Sequence, residues 1–290
     1  MKNIFLVLVI TLILTACISE KNNNVLDLND PNNYFEAFLK TRGDLNGQEV
    51  VYWWKGYVYS FVPNQRDKAI MQFEGFNIAR LEQVDGGYLL LTREAAFYQD
   101  LHTGEILETW ENPFTEKTNN VVHVWNDPVN QVFVFPEEYL PYMNQIFPSQ
   151  ELGDYLTFNL NIFLNYPSPL TRQDFPLNSQ SDTYEAAEMF QFFVNKEELL
   201  KKSITSTSAN INWTRISPWM PFMEMGDSPG NLVFSCVGKK LDNGYSDLPE
   251  HIRKYVEENK PEFSSAPEEY SEPNETSWTF FKKLRNDKKN

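Results

Sequence analysis

Between residues 50 and 135, apolar and polar side chains alternate in short runs separated by Gly, Pro, Asn and Asp, the period-two signature of β-strands. Strands are predicted at 50–55 and 57–62 around Gly56, at 69–73 and 78–84, and at 88–98 after the hairpin signal Asp85-Gly86-Gly87. Others follow at 105–110, 121–125 and 131–135, and the pattern returns at 156–164, 186–194, 211–216 and 231–237. Segments 136–148 and 167–183 read as loops, the first with a helical turn. Helical spacing replaces the alternation in three places. Tyr34, Phe35, Phe38 and Leu39 follow Asp30-Pro31, an N-cap with Pro at the first helical position. The charged segment 196–202 is a short helix, and Leu248, Ile252, Tyr255 and Val256 form another, stopped by Pro261. Turns this short predict an antiparallel meander rather than βαβ units. The expected fold is a mainly β single domain over 31–267, an antiparallel, barrel-like (calycin-like) sheet with short flanking helices. Barrel closure would remove exposed edges; a two-sheet β-sandwich is the alternative. The charged segment 268–290 is expected to pack back through Trp278 and Phe280 as a last strand, or through Trp278, Phe281 and Leu284 as a small helical face.

The start of the chain has a different pattern. MKNIFLVLVITLILTAC has a basic Lys2, an apolar run over 4–14, and Leu14-Thr15-Ala16 before Cys17. The run is too short to cross a bilayer, which needs roughly 20 apolar residues, and has the anatomy of a signal peptide. It resembles a bacterial lipoprotein signal. That resemblance implies removal of residues 1–16, acylation of Cys17, and a polar, Asn-rich lipidated tether over 17–30. With Ile18 after the cysteine, it leans toward the outer membrane of the cell envelope. An ordinary signal peptide with an incidental cysteine is the alternative.

Charge and cysteine count narrow the picture. A formal net charge of −15 excludes nucleic acid as a partner, because that needs clustered Lys and Arg. It also leaves the lipid on Cys17 as the means of membrane attachment. Cys236, the other cysteine, has no intramolecular partner and lies in the apolar run Leu232-Val233-Phe234-Ser235-Cys236-Val237, as a buried small hydrophobe does.

Gly226-Asp227-Ser228-Pro229-Gly230 spells the G-x-S-x-G nucleophile elbow. The elbow needs a backbone N–H after the serine and a helix downstream; here Pro229 and a strand pattern follow, so the motif reads as a turn. Arg42-Gly43-Asp44 is read as a turn between helix and first strand rather than as an integrin-binding tripeptide. His102, His123 and His251 are dispersed, without metal-binding spacing. No metal site, cofactor or glycine-rich phosphate loop is expected.

The stretches WTRISPWMPFMEMGDSPG, REAAFYQDLHTGEILETWENPFT and VVHVWNDPVN resemble a bacterial domain-of-unknown-function family, the one numbered 1838. The resemblance extends over about residues 35–278 and implies no catalytic residues. The apolar, proline-punctuated loop in the first stretch must plug one end of the fold or line a site.

Polar residues inside the strand patterns are the remaining chemistry. Glu94 shares a strand face with Tyr88, Leu90 and Tyr98, whereas Arg93 shares the other with Leu89, Leu91 and Phe97. Charges that point inward must pair; the alternative is outward-facing charge or structural ion pairs. The catalytic candidates are His123, Glu94 and Glu74. The ligand-binding candidates are Arg80, Arg93, Tyr98, Trp110, Asn126, Asp127, Arg215 and Trp219. An apolar or aromatic small molecule bound in an interior cavity is the favoured function, given the 15% aromatic content and the Trp-Met-rich loop. An acid–base enzyme in the same cavity and a structural envelope protein are the alternatives.

Overall fold

Asp30 accepts a hydrogen bond from the Asn32 backbone at 2.9 Å and starts helix α1 (Pro31–Arg42). At the other terminus the carbonyls lack intrahelical donors. Lys240 closes it from a neighbouring strand, its Nζ donating to the carbonyls of Lys40, Thr41 and Gly43 at 3.0, 3.3 and 2.8 Å. The ammonium group thus meets the negative end of the helix dipole. The computed structural model describes residues 24–287. The signal segment 1–16, Cys17 and the first part of the expected tether lie outside the described residues.

The chain continues through strands β1 (Val50–Phe61), β2 (Lys68–Val84), β3 (Gly87–Gln99), β4 (Thr109–Asn112), β5 (Lys117–Asn120), β6 (Val124–Asn126) and β7 (Gln131–Val134). After a short helix α2 (Met143–Ile146) come β8 (Ser149–Leu152), β9 (Tyr155–Pro167), β10 (Thr183–Asn195), helix α3 (Lys196–Leu199), β11 (Ala209–Ser217) and β12 (Asn231–Lys240). Helices α4 (Glu250–Asn259) and α5 (Ser277–Asp287) complete the described chain. Ten strands form one antiparallel sheet in the order β6-β3-β2-β1-β12-β11-β10-β9-β8, with β7 also on β3. β4 and β5 make a separate hairpin.

The expected antiparallel, mainly β architecture is present, but the sheet does not close: β6 and β7 at one end form no ladder with β8 and β9 at the other. Nor is it a two-sheet sandwich, since the second sheet is only the β4–β5 hairpin. The expected breaks at Gly56 and Gly75 are absent, and long strands run through both. A Cβ on Gly56 would lie 2.0 Å from the Ser235 carbonyl oxygen, and one on Gly75 would lie 2.5 Å from Ala96 Cβ. These glycines permit close approach of neighbouring strands instead of ending their own. The strand expected at 105–110 shrinks to β4 and an isolated Gln99–Ile106 bridge, and that at 121–125 to β6. The C-terminal segment forms a helix rather than a last strand, burying Trp278 and Phe281 in the main core.

The sheet's inner face carries most of that core. Phe38 of α1 packs edge-on against Phe133 of β7 at 5.6 Å and Phe158 of β9 at 5.8 Å, and stacks on Phe147 at 3.8 Å. Helix α1 therefore bridges the two ends of the sheet. At the opposite end the loop 218–230 tucks Trp219, Met220, Phe222 and Met223 into the core, the plugging role anticipated for an apolar loop. On the outer face, Ile252 and Val256 of α4 cover Val51, Phe76 and Phe97. Each such side chain contributes roughly 1.5–3 kcal/mol on burial.

Candidate functional site

Because the sheet stays open, its two ends face one another across a cleft of 460 Å³. One wall holds Glu94, Asn126, Val129 and Gln131; the other holds Leu164, Tyr184, Glu188, Phe190 and Arg215; residues 274–279 form a rim. A narrower recess of 60 Å³ shares Glu94, Val129, Gln131 and Phe190 with it and runs inward to Arg42, Trp54, Phe192 and Trp213. The larger volume lies within the range that takes a small molecule, and aromatic walls with a few polar groups are the usual lining.

Strand alternation supplies the polar groups. Glu94 and Asn77, directly paired across β2 and β3, both face inward. Arg215 of β11 is opposite Glu188 of β10 and reaches Glu188 Oε1 at 3.6 Å and the Tyr184 hydroxyl at 2.6 Å. Trp213 Nε1 donates to Glu188 Oε2 at 3.4 Å. Burial works against the Arg215 charge, but Tyr184 and Glu188 outweigh it and hold the guanidinium protonated. Among the described residues Glu94 makes no salt bridge, although the Arg215 charge acts on it from across the cleft; Asn126 Nδ2 donates to it at 3.5 Å. Burial, reinforced by repulsion from Glu188, raises its carboxyl to about 7.

Arg42 ends α1 at the bottom of the recess. The expected turn between helix and first strand begins directly after it, with Gly43 capping the helix and Asp44 O accepting from Gly47 N–H at 2.9 Å, while the Arg42 guanidinium is buried. It donates to Gln131 Oε1 at 3.3 Å and lies over the rings of Tyr52 and Phe192 at 5.7 and 5.2 Å. Among the described residues it makes no salt bridge, and burial lowers its proton affinity. Buried polar atoms without a partner among the described residues cluster here: Arg42 Nε, Trp54 Nε1, Asn77 Oδ1, Asn126 Oδ1 and Arg215 Nε. Such orphans are uncommon in a settled core.

Of the sequence candidates, the cleft brings together Glu94, Asn126 and Arg215. Arg93 faces outward, bound to Asp127 Oδ2 at 2.8 Å and to the Glu262 and Ser265 carbonyls at 2.8 and 2.9 Å. Arg80, also outward, holds the Pro267 and Glu268 carbonyls at 3.2 and 2.6 Å. Both pin the C-terminal segment to the sheet. Tyr98 packs in the core between Phe73, Phe222 and Phe234, Trp110 is buried on β4, and Trp219 anchors the plug loop by donating from Nε1 to the Ser228 carbonyl at 3.2 Å. That bond and the Ser228 N–H to Met225 O bond at 2.9 Å make Ser228 part of a turn.

The catalytic candidates are dispersed. His123 is buried, accepting from the Tyr98 backbone at Nδ1 and packed against Phe97 and Tyr255. Burial lowers it to about 4, and no carboxylate bonds to it among the described residues. Glu74 lies on the outer face, accepting from Trp53 Nε1 and Gln99 Nε2, both at 2.9 Å, with His251 Nε2 at 3.1 Å. Cys236 is buried and free, its thiol pushed up to about 12 by burial. No group of three or more His, Cys, Asp or Glu side chains among the described residues is placed to hold a metal ion.

The sequence reading missed Arg42, Trp54, Asn77 and Trp213 as lining residues. Period-two alternation with Glu94 would have placed Asn77 once the β2–β3 register was known. Nothing local marked Arg42.

A family model described as "Protein of unknown function (DUF1838)" matches residues 47–285. The chain belongs to that family. A comparison with curated proteins found no match.

Proposed function

We propose that this protein binds a small apolar or aromatic molecule in the cleft between the two ends of its sheet, while a lipid on Cys17 holds it to the bacterial envelope, with the outer membrane favoured. One observation carries the binding reading: a 460 Å³ cleft whose walls combine Tyr166, Tyr184 and Phe190 with an inward cluster of Glu94, Glu188 and Arg215. The aromatic rings supply area and the cluster supplies orientation. The anchor rests on the apolar run and the Leu14-Thr15-Ala16-Cys17 sequence, and on a net charge of −15 that leaves no electrostatic route to an anionic bilayer. Native mass spectrometry of the gently purified chain tests the binding reading. The expected result is a small molecule bound in one-to-one ratio and released on denaturation. Protein that carries no such molecule, and that takes up neither 2-naphthoate nor 2-naphthalenemethanol, would overturn it.

A further inference from the structure

The two parts of the cleft differ in size and chemistry. The wide part is apolar along Ile162, Leu164 and Phe190 and has room for a ring system. The recess, at 60 Å³, has the volume of a few waters, enough for a small polar group but not for a ring. What lines it is mostly donor. Arg42 carries a full charge with one side-chain hydrogen bond, and its Nε is without an acceptor. Trp54 Nε1 is a second N–H with none. Gln131 spends its oxygen on Arg42, which leaves its NH₂ as a donor. The acceptors in this recess are Asn77 Oδ1, without a partner among the described residues, and the Glu94 carboxyl, whose proton affinity burial raises so that its protonated form adds an O–H donor.

The other buried cations nearby are already satisfied. Arg215 has Glu188 and Tyr184. Lys240 Nζ is saturated by three carbonyls and by Ser206 Oγ at 2.7 Å. Lys40 has Glu36 at 2.7 Å. Arg42 alone among these is a buried guanidinium without a carboxylate, held in place by aromatic faces. A buried charge is costly unless it is paired, and a guanidinium fork fits a carboxylate in two parallel bonds.

We infer that the ligand is an aromatic or apolar carboxylic acid, its carboxylate seated in the recess against Arg42 and Trp54 Nε1, and its ring system in the wide cleft against Phe190. This rests on the reading of the cleft as a binding site. The test compares 2-naphthoate with its uncharged analogue 2-naphthalenemethanol, by calorimetry on the full chain and on Arg42→Gln. Hydrogen bonds to a charged group set the scale. The acid is expected to bind the native chain at least about tenfold tighter than the alcohol. Arg42→Gln is expected to abolish that preference by weakening the acid far more than the alcohol. Equal affinities for the two compounds on the native chain would overturn the inference and leave the binding reading standing; that comparison needs no variant. Equal loss of both in a folded Arg42→Gln chain would also overturn it. Uptake of neither compound would remove the inference and the binding reading together.

Discussion

Glu94 and His123 are single side chains whose burial links folding to pH, with opposite signs. The Glu94 carboxyl is raised to about 7 from an ordinary 4.5. Between those values the folded chain holds a proton that the unfolded chain has released, so stability falls as pH rises through the window and is lowest above 7. His123, lowered to about 4 from 6.5 by burial, adds the reverse slope: the unfolded chain takes up a proton first as pH drops from 6.5 to 4. Glu94→Gln removes only the first effect. It should match the native chain near pH 5 and exceed it at pH 8 by on the order of 1–3 kcal/mol, since a tenfold change in proton affinity is worth about 1.4 kcal/mol. Urea denaturation at the two pH values checks this; an unchanged pH slope would show that Glu94 is already ionised in the fold. That Glu94 and Arg93 take opposite faces was legible from alternation alone, although Leu90 and Tyr98 on one face and Leu91 and Phe97 on the other left open which of the two turns inward. The position of Arg42 was not. Its burial depends on where α1 docks across the sheet ends, a tertiary fact with no local pattern.

At the scale of elements, the legible part was the strand alternation and the illegible part was its punctuation. Gly56 reads as a break, yet β1 continues through it, pairing with β2 on one side and β12 on the other. The signal that a glycine is structural rather than terminal lies on the facing strand, at Ser235 and Cys236, far from Gly56 along the chain. Gly56→Ala tests this. A Cβ 2.0 Å from the Ser235 oxygen and 2.6 Å from Cys236 Cα forces two backbones apart in the middle of the sheet. The variant should lose roughly 2–4 kcal/mol, at or above the usual overpacking range of about 1–3, read as a lower midpoint in thermal or urea unfolding. A loss below about 0.5 kcal/mol, small on the same scale, would mean that the sheet yields there without cost. The C-terminal helix shows the complementary ambiguity. Trp278 and Phe280 suit a strand, whereas Trp278 and Phe281 suit a helix. The choice goes to the helix, where Trp278 meets Tyr184 at 4.6 Å and Phe281 meets Arg285 at 5.1 Å.

For the whole molecule, the point where the described chain enters the fold is set apart from the wide cleft. The described chain enters the fold through a Val25–Lys201 bridge and a Leu26 N–H to Leu200 O bond at 2.8 Å, beside α3. Neither the entering segment nor α3 lines the wide cleft, so the proposed anchor and the proposed binding site can be tested separately. None of the helices among the described residues is long and apolar enough to cross a membrane. The formal charge of −15 opposes adsorption to anionic lipid, since favourable surface attraction comes from Lys and Arg. Membrane retention should therefore depend on Cys17 alone. One acyl chain binds only marginally, whereas stable anchoring takes more than one. Cys17→Ser should leave the binding domain folded and shift the chain from the membrane fraction to a soluble or unprocessed form, with no loss of 2-naphthoate affinity. Cell fractionation with intact mass of the N-terminal peptide reads both outcomes. A native chain found soluble with an unmodified amino terminus would overturn the anchor and leave the cleft to be judged on its own ligand.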